Sequence, residues 1–229
     1  MADLAANNFS QPPVPDYARP DETVLMRNRI LSAAAHLFTT RGFHGTTTRA
    51  ISEIVGILSG SLFHHFKSKR QMLFEVMHQA AQSLCVRAEA VVAAAPDARA
   101  KLQAMIRLQL DCLLNEQTKD FYAVLLFEWR EMDAAEKAPL TELRKRYFDV
   151  WHSVLEDCES QGLLRAETKA TQFMLHGAIN WATTWYKPEG RLSLDDYALL
   201  LEEMVLAARC NTASGKNKSA VLGPGGSRS

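Results

Sequence analysis

An excess of charge of either sign is the first thing this sequence lacks: 26 Lys and Arg stand against 26 Asp and Glu in 229 residues, for a formal net charge of zero. That excludes a uniformly basic coat for nucleic acid but leaves local basic patches open. Cysteine is also sparse. Cys85, Cys112, Cys158 and Cys210 are widely spaced with no C-x-x-C pair, which argues against a disulfide framework or a zinc ribbon and for buried thiols in a reducing compartment. No apolar run approaches the ~18 residues of a membrane span, and the N-terminus lacks a basic-then-apolar leader pattern. A cytoplasmic protein with no membrane partner is therefore expected. The phosphate-cradling P-loop, the dinucleotide glycine motif and the nucleophile elbow G-x-S-x-G are all missing, so neither an enzyme nor a cofactor is expected.

What is present is a long helical pattern. Apolar residues make up 47% of the chain, enough for a proper core. Residues 1–20, with Pro12, Pro13, Pro15 and Pro20, and residues 212–229, rich in Ser, Gly and Lys, read as a disordered arm and tail. Between them Gly and Pro are scarce and no alternating run makes a strand, so the fold class is all-α. The periodicity predicts a first helix over 22–40, stopped at Gly42, and a short helix capped by Thr46 or Thr47. Gly56 supplies a tight turn, and a second short helix runs over 59–65 with Leu58, Leu62 and Phe66 spaced i, i+4, i+8. Two short helices joined by a glycine turn form a helix-turn-helix. Longer helices are predicted over 70–94, 97–116, 118–133, 137–161, 168–187 and 193–210. The organisation expected is a helix-turn-helix DNA-binding domain at 21–68 and a larger helical domain at 69–211.

Side-chain chemistry narrows the candidates. A helix entering the major groove needs short or hydrogen-bonding side chains near its start, which Ser59, Gly60 and Ser61 provide and His64 extends. Arg49, Lys67 and Lys69 suit phosphate contacts, which set affinity and register rather than sequence. The C-terminal half is rich in Met and aromatic residues of the kind that line adaptable apolar pockets, among them Met105, Phe127, Trp129, Met174 and Trp181. Arg107, Arg130 and Arg144 offer guanidinium groups for a carboxylate or phosphate. Glu75-x-x-His78 on a predicted helix leaves a helical-bundle enzyme as one alternative, but no second Glu-x-x-His exists to complete a di-iron site. A protein-interaction bundle without DNA binding is the other alternative.

The segment GFHGTTTRAISEIVGILSGSLFHHFKSKRQML, from Gly42 to Leu73, resembles the DNA-binding domain of the TetR family. Gly42, Thr46, Thr47, Arg49, Ile51, Gly56, Gly60, Ser61, Leu62, Phe66, Lys67 and Lys69 all fit the family pattern in order and spacing. Two positions depart from it. Leu58 stands where the family commonly has a capping Ser, which leaves Ser59 to cap the helix, and Phe63 stands where Tyr is usual. The segments Phe127–Met132, Asn180-Trp181 and Trp185–Ser193 resemble the branch that regulates fatty-acid and sterol catabolism and commonly senses acyl-CoA thioesters. The resemblance implies a homodimeric repressor on palindromic operator DNA, released by a small hydrophobic effector, an acyl-CoA or organic acid. The expected DNA-binding residues are Thr47, Arg49, Ser59, Gly60, Ser61, Phe63, His64, Lys67 and Lys69. Those for the effector are Met105, Phe127, Trp129, Arg130, Met174 and Trp181. The dimer interface is expected to use Ala178, Trp185, Tyr197, Leu201 and Met204 on the last two helices. No metal is expected, since adjacent His64 and His65 point about 100° apart on a helix.

Overall fold

Helices account for nearly all of residues 22–207, the part of the chain that the computed structural model describes. The proposed arm at 1–20, the tail at 212–229 and Cys210 lie outside the described residues. In chain order the elements are α1 (Glu22–Gly45), α2 (Thr48–Val55), α3 (Ser59–His65), α4 (Lys69–Ala94), α5 (Ala98–Leu114) and α6 (Lys119–Phe127). A 3-10 turn (Trp129–Glu131) follows, then α7 (Ala134–Ser160), α8 (Thr168–Trp185) and α9 (Leu194–Val205). The one β-type pairing among the described residues is an isolated bridge between Leu164 and Leu206. The all-α expectation holds. No helix among the described residues is long and apolar enough to cross a membrane.

The first four helices end where their residues dictate. Gly42 sits at φ 70°, ψ 166°, so α1 breaks there before one last turn to Gly45. Of the two threonines that follow, only Thr47 caps α2, accepting from the Ala50 amide at 3.1 Å. Thr46 is buried, with its hydroxyl 2.9 Å from the Gly42 carbonyl and 3.0 Å from that of Leu37, where it closes the broken end of α1. Gly56 takes the left-handed conformation (φ 79°) that lets the chain turn into α3. Ser68 caps α4 through the Gln71 amide, and Gln71 in return accepts from the Lys67 amide at 2.8 Å.

Besides the extra turn of α1, three boundaries differ by three residues or more, and the first is the helix expected to reach 210, which ends at Val205. The helix expected from 137 begins at Ala134, because Asp133 and Glu136 form a reciprocal capping box that overrides Pro139 in the second turn. The helix expected over 118–133 stops at Phe127 and continues only as the 3-10 turn.

The core has two parts that meet on α4. Met72, Leu73, Val76 and Met77 pack with Ile30, Leu31, Leu37 and Phe38 of α1, with Ile51 and Val55 of α2, and with Leu62 of α3. One to four turns further along, Ala80, Cys85 and Ala88 join the larger cluster built by α5, α7, α8 and α9 around Leu102, Met105, Trp151, Leu155 and Ile179. Cys85, Cys112 and Cys158 are free and buried, as expected, and burial pushes the Cys158 thiol up to about 11.

Candidate functional site: a helix-turn-helix face and an effector cavity

The helix-turn-helix face is set by what α3 buries. Leu62 is fully buried, which turns the opposite side of this seven-residue helix to solvent. At 100° per residue that outer side centres on Gly60 and His64, with Ser61 and Phe63 as flanks. A Cβ built on Gly60 meets nothing within 4 Å. Thr47, Arg49, Ser59, Phe63, His64 and Lys67 are all exposed around this face. Arg49 makes an i,i+4 pair with Glu53 at 2.9 Å, while Lys67 has no ion-pair partner among the described residues. Arg27 braces the back of α3, bonding the His65 carbonyl at 3.1 Å and lying over the Phe66 ring.

Two expectations are corrected here. Ser59 does not cap α3. Its backbone is already the first helical residue, its hydroxyl lies 2.9 Å from that of Ser52, and the N-cap position belongs to Leu58, which makes no side-chain cap bond. Lys69, expected on phosphate, has another task. Its ammonium donates to the carbonyls of Phe43 at 2.6 Å and Thr46 at 2.7 Å and sits over the Phe43 ring. It therefore pins the broken end of α1 to the start of α4. Lys69→Met keeps the packed stem but leaves both carbonyls without this donor, and should lower unfolding stability by about 2 kcal/mol. Urea unfolding of the variant would check this; an unchanged midpoint would put the lysine back among the free surface cations.

The larger half holds a cavity of about 430 Å³ between α4, α5, α6, α7 and α8. Its walls are mostly apolar, from Leu84, Leu113, Leu125, Phe127, Leu140 and Phe148 among others. A polar strip crosses one side: the Tyr147 hydroxyl donates to Gln109 Oε1 at 2.9 Å, and Gln109 Nε2 donates to Asn180 Oδ1 at 3.0 Å. Burial drives the Tyr147 pKa well upward, so it remains a neutral donor. His176 also lines the cavity, stacked on Phe148 with ring centroids 4.6 Å apart. Burial lowers its pKa, and its Nδ1 lies 2.8 Å from the Gln172 carbonyl, so the ring is neutral with its proton on Nδ1. Arg130 and Arg144 line the same cavity, and neither forms an ion pair among the described residues. Arg144 lies over the Trp129 ring at 5.1 Å.

Of the residues expected for an effector, Phe127, Trp129 and Arg130 line this cavity. Met105, Met174 and Trp181 do not. Met105 is fully buried in the core, while Met174 and Trp181 project from the outside of α8. On α8 the row Leu175, Ile179 and Ala182 turns inward, and Met174, Trp181 and Trp185 form a second apolar stripe outside it. On α9, Tyr197 and Leu201 are core residues of the protomer itself, which corrects their expected place at a dimer interface. Leu199, Leu200 and Met204 are the exposed apolar side chains of that helix. Gln109, Tyr147, His176 and Asn180 were missed. Asn180 adjoins Trp181 on α8, but only the fold reveals that Asn180 lines the cavity while Trp181 is exposed. Arg107, one of the three arginine candidates, pairs with Asp195. Of the Glu75-x-x-His78 pair, Glu75 bonds Arg27 at 2.8 Å and His78 stacks on Phe74.

Cavity and helix-turn-helix meet in the short stretch 127–131. Phe127, Trp129 and Arg130 face the cavity. Glu131 reaches the other way, to His44 at 2.8 Å, and the Glu128 carboxyl faces the Phe43 backbone. Burial raises the Glu128 pKa above the ordinary carboxyl value. One helix earlier, Asp120 of α6 holds His36 of α1 at 3.0 Å, and Thr39 donates to the Asp120 carbonyl. One segment thus forms a cavity wall and a latch on α1.

Comparison with known proteins agrees with this architecture. Residues 30–76 match the model of bacterial regulatory proteins of the tetR family, and residues 95–208 match that of the tetracyclin repressor-like C-terminal domain. The transcriptional repressor KstR2 of Rhodococcus jostii is 32% identical over 185 residues, covering 79% of this chain and 89% of the relative. Among solved structures, superantigen PfiT is 36% identical with a TM-score of 0.66, covering 79% of this chain and 96% of that one. Apo AibR is 25% identical with a TM-score of 0.70, covering 79% and 98%. AibR bound to isovaleryl coenzyme A and operator DNA, at 24% identity and a TM-score of 0.71, covers 78% and 97% and shares the fold. The bundle-enzyme and interaction-module readings give way to a DNA-binding regulator. The chain belongs to the TetR family of ligand-responsive transcriptional regulators, which bind DNA as dimers.

Proposed function

We propose that this chain is a cytoplasmic repressor, with residues 21–68 as its DNA-binding domain and 69–211 as its sensor, and that an acyl-CoA thioester or its free acid in the cavity releases it from a palindromic operator. Two copies of α3 enter successive major grooves about 34 Å apart. Thr47, Ser59, Gly60, Ser61, Phe63 and His64 line the groove side, and Arg49 and Lys67 approach phosphates. The two-fold contact is the outer apolar stripe of α8 with α9, where Phe173, Met174, Trp181, Trp185, Leu199, Leu200 and Met204 are exposed in the protomer. Ala178, half-buried between them, allows the helices to approach closely.

The observation that carries this reading is the shared stretch 127–131. An acyl tail fits among the apolar walls, and Arg130 and Arg144 offer two unpaired guanidiniums to an anionic head. Filling the cavity displaces Phe127 and Trp129, and with them the Glu128 and Glu131 contacts that hold the end of α1. The ligand then favours a conformation whose recognition helices no longer match the groove spacing. Linkage makes the effect mutual: operator DNA must weaken ligand binding by the factor by which ligand weakens operator binding.

The test is a titration of an operator complex, with DNA selected from random duplexes, against medium- and long-chain acyl-CoAs, steroid-derived CoA esters and the free acids. Release at micromolar ligand is expected, and Arg130→Ala with Arg144→Ala should raise the required concentration at least tenfold, about 1.4 kcal/mol. If none acts at high micromolar concentration while an unrelated cationic or aromatic compound does, the acyl-CoA assignment fails and the regulator reading stands.

A further inference from the structure

The tip of the helix-turn-helix carries an apolar feature that its fold does not use. Leu58 is 80% exposed, more than any other large apolar side chain among the described residues, and Phe63 is 51% exposed. Leu58 occupies the N-cap of α3, where a hydroxyl would bond a free helix amide; the leucine makes no such bond, so α3 goes uncapped by a side chain. Its extended backbone (φ −66°, ψ 141°) carries it ahead of the helix, while Phe63 lies about 100° round α3 from buried Leu62. Between them the surface is small and open at Gly60. Local rules broken at the surface without a folding return mark positions shaped by binding.

Resting on the reading of α3 as the groove helix, we propose that Leu58 and Phe63 determine operator specificity by packing against thymine C5-methyl groups. The major groove offers a protein one apolar feature, that methyl, and it distinguishes T·A from every other pair. A peptide or second protein is a poorer fit, because Arg49 and Lys67 stand exposed beside the tip and suit a polyanion. Hydrogen bonds from Ser61 and His64 can then read neighbouring base edges, while the two apolar residues select for thymine.

The experiment uses the full chain and an operator recovered by selection from random duplexes. Each thymine is replaced singly by deoxyuridine, which removes the methyl and leaves pairing intact. Loss of one read methyl should weaken binding about fourfold, and of one in each half-site about fifteenfold. In Leu58→Ala or Phe63→Ala, both substitutions on exposed positions, wild-type and uracil operators should bind alike at the thymine that residue reads. Uracil tolerated at every position overturns the proposal, as does a methyl penalty that persists undiminished in both variants. A wild-type chain that enriches no sequence at all refutes instead the DNA-binding reading beneath it.

Discussion

Trp181→Glu should yield a folded monomer with at least about a hundredfold weaker operator affinity. Trp181 is 67% exposed in the protomer and lies in the outer stripe of α8 with Met174 and Trp185, so a carboxylate there costs the isolated fold little. In a dimer sealed by that stripe, two-fold symmetry buries a carboxylate from each protomer in an apolar contact, an expense of several kcal/mol unless the chains part. A single helix-turn-helix then loses the effective concentration that joins two half-sites. Sedimentation and circular dichroism would read the two halves of this result separately. Leu201→Glu is the contrast: Leu201 is 3% exposed and packs inside the protomer, so this change should unfold the chain, costing about 3–5 kcal/mol or more. A Trp181→Glu protein that still sediments as a dimer would place the two-fold axis elsewhere.

Gly60→Glu should abolish specific DNA binding while leaving melting temperature unchanged or slightly raised. A Cβ at Gly60 meets nothing within 4 Å, and glycine is a poor helix former, so the fold gains if anything. In the groove the same side chain fills the space needed for backbone approach and sets a negative charge among phosphates. Together these should cost on the order of 3 kcal/mol or more, a hundredfold or greater loss. A gel-shift titration on the selected operator would measure it. Retained specific binding would mean that α3 is not the element in the groove.

The sequence pattern made the DNA-binding half far more legible than the sensing half, for a physical reason. In that half helices break, start or stop at chemically distinctive residues: Gly42 and Gly56 at positive φ, Thr47 and Ser68 as caps. Each of those can be recognised locally. The cavity is a partly open pocket assembled from five helices, and no local pattern distinguishes a Met that fills the core, such as Met105, from an aromatic at a cavity's edge, such as Phe127. On α8 two apolar stripes run side by side, and periodicity alone cannot say which one faces the protomer. Lys69 was misread because a lysine beside a basic motif looks free until its acceptors, the Phe43 and Thr46 carbonyls, are brought to it from 26 and 23 residues away.

The alternation along 127–131 has a consequence for how such a regulator can diversify. Under the proposed release mechanism, Phe127, Trp129 and Arg130 border the cavity while Glu128 and Glu131 face α1, so what is sensed and how the signal is passed would be carried by interleaved but separate positions. Substitutions at the first set can accumulate under selection for a new inducer while the second stays fixed. A lineage can therefore change the metabolite it answers to without rebuilding its response. Duplicated genes would diverge most readily at 127, 129 and 130, and the pair at 128 and 131 would be inherited intact.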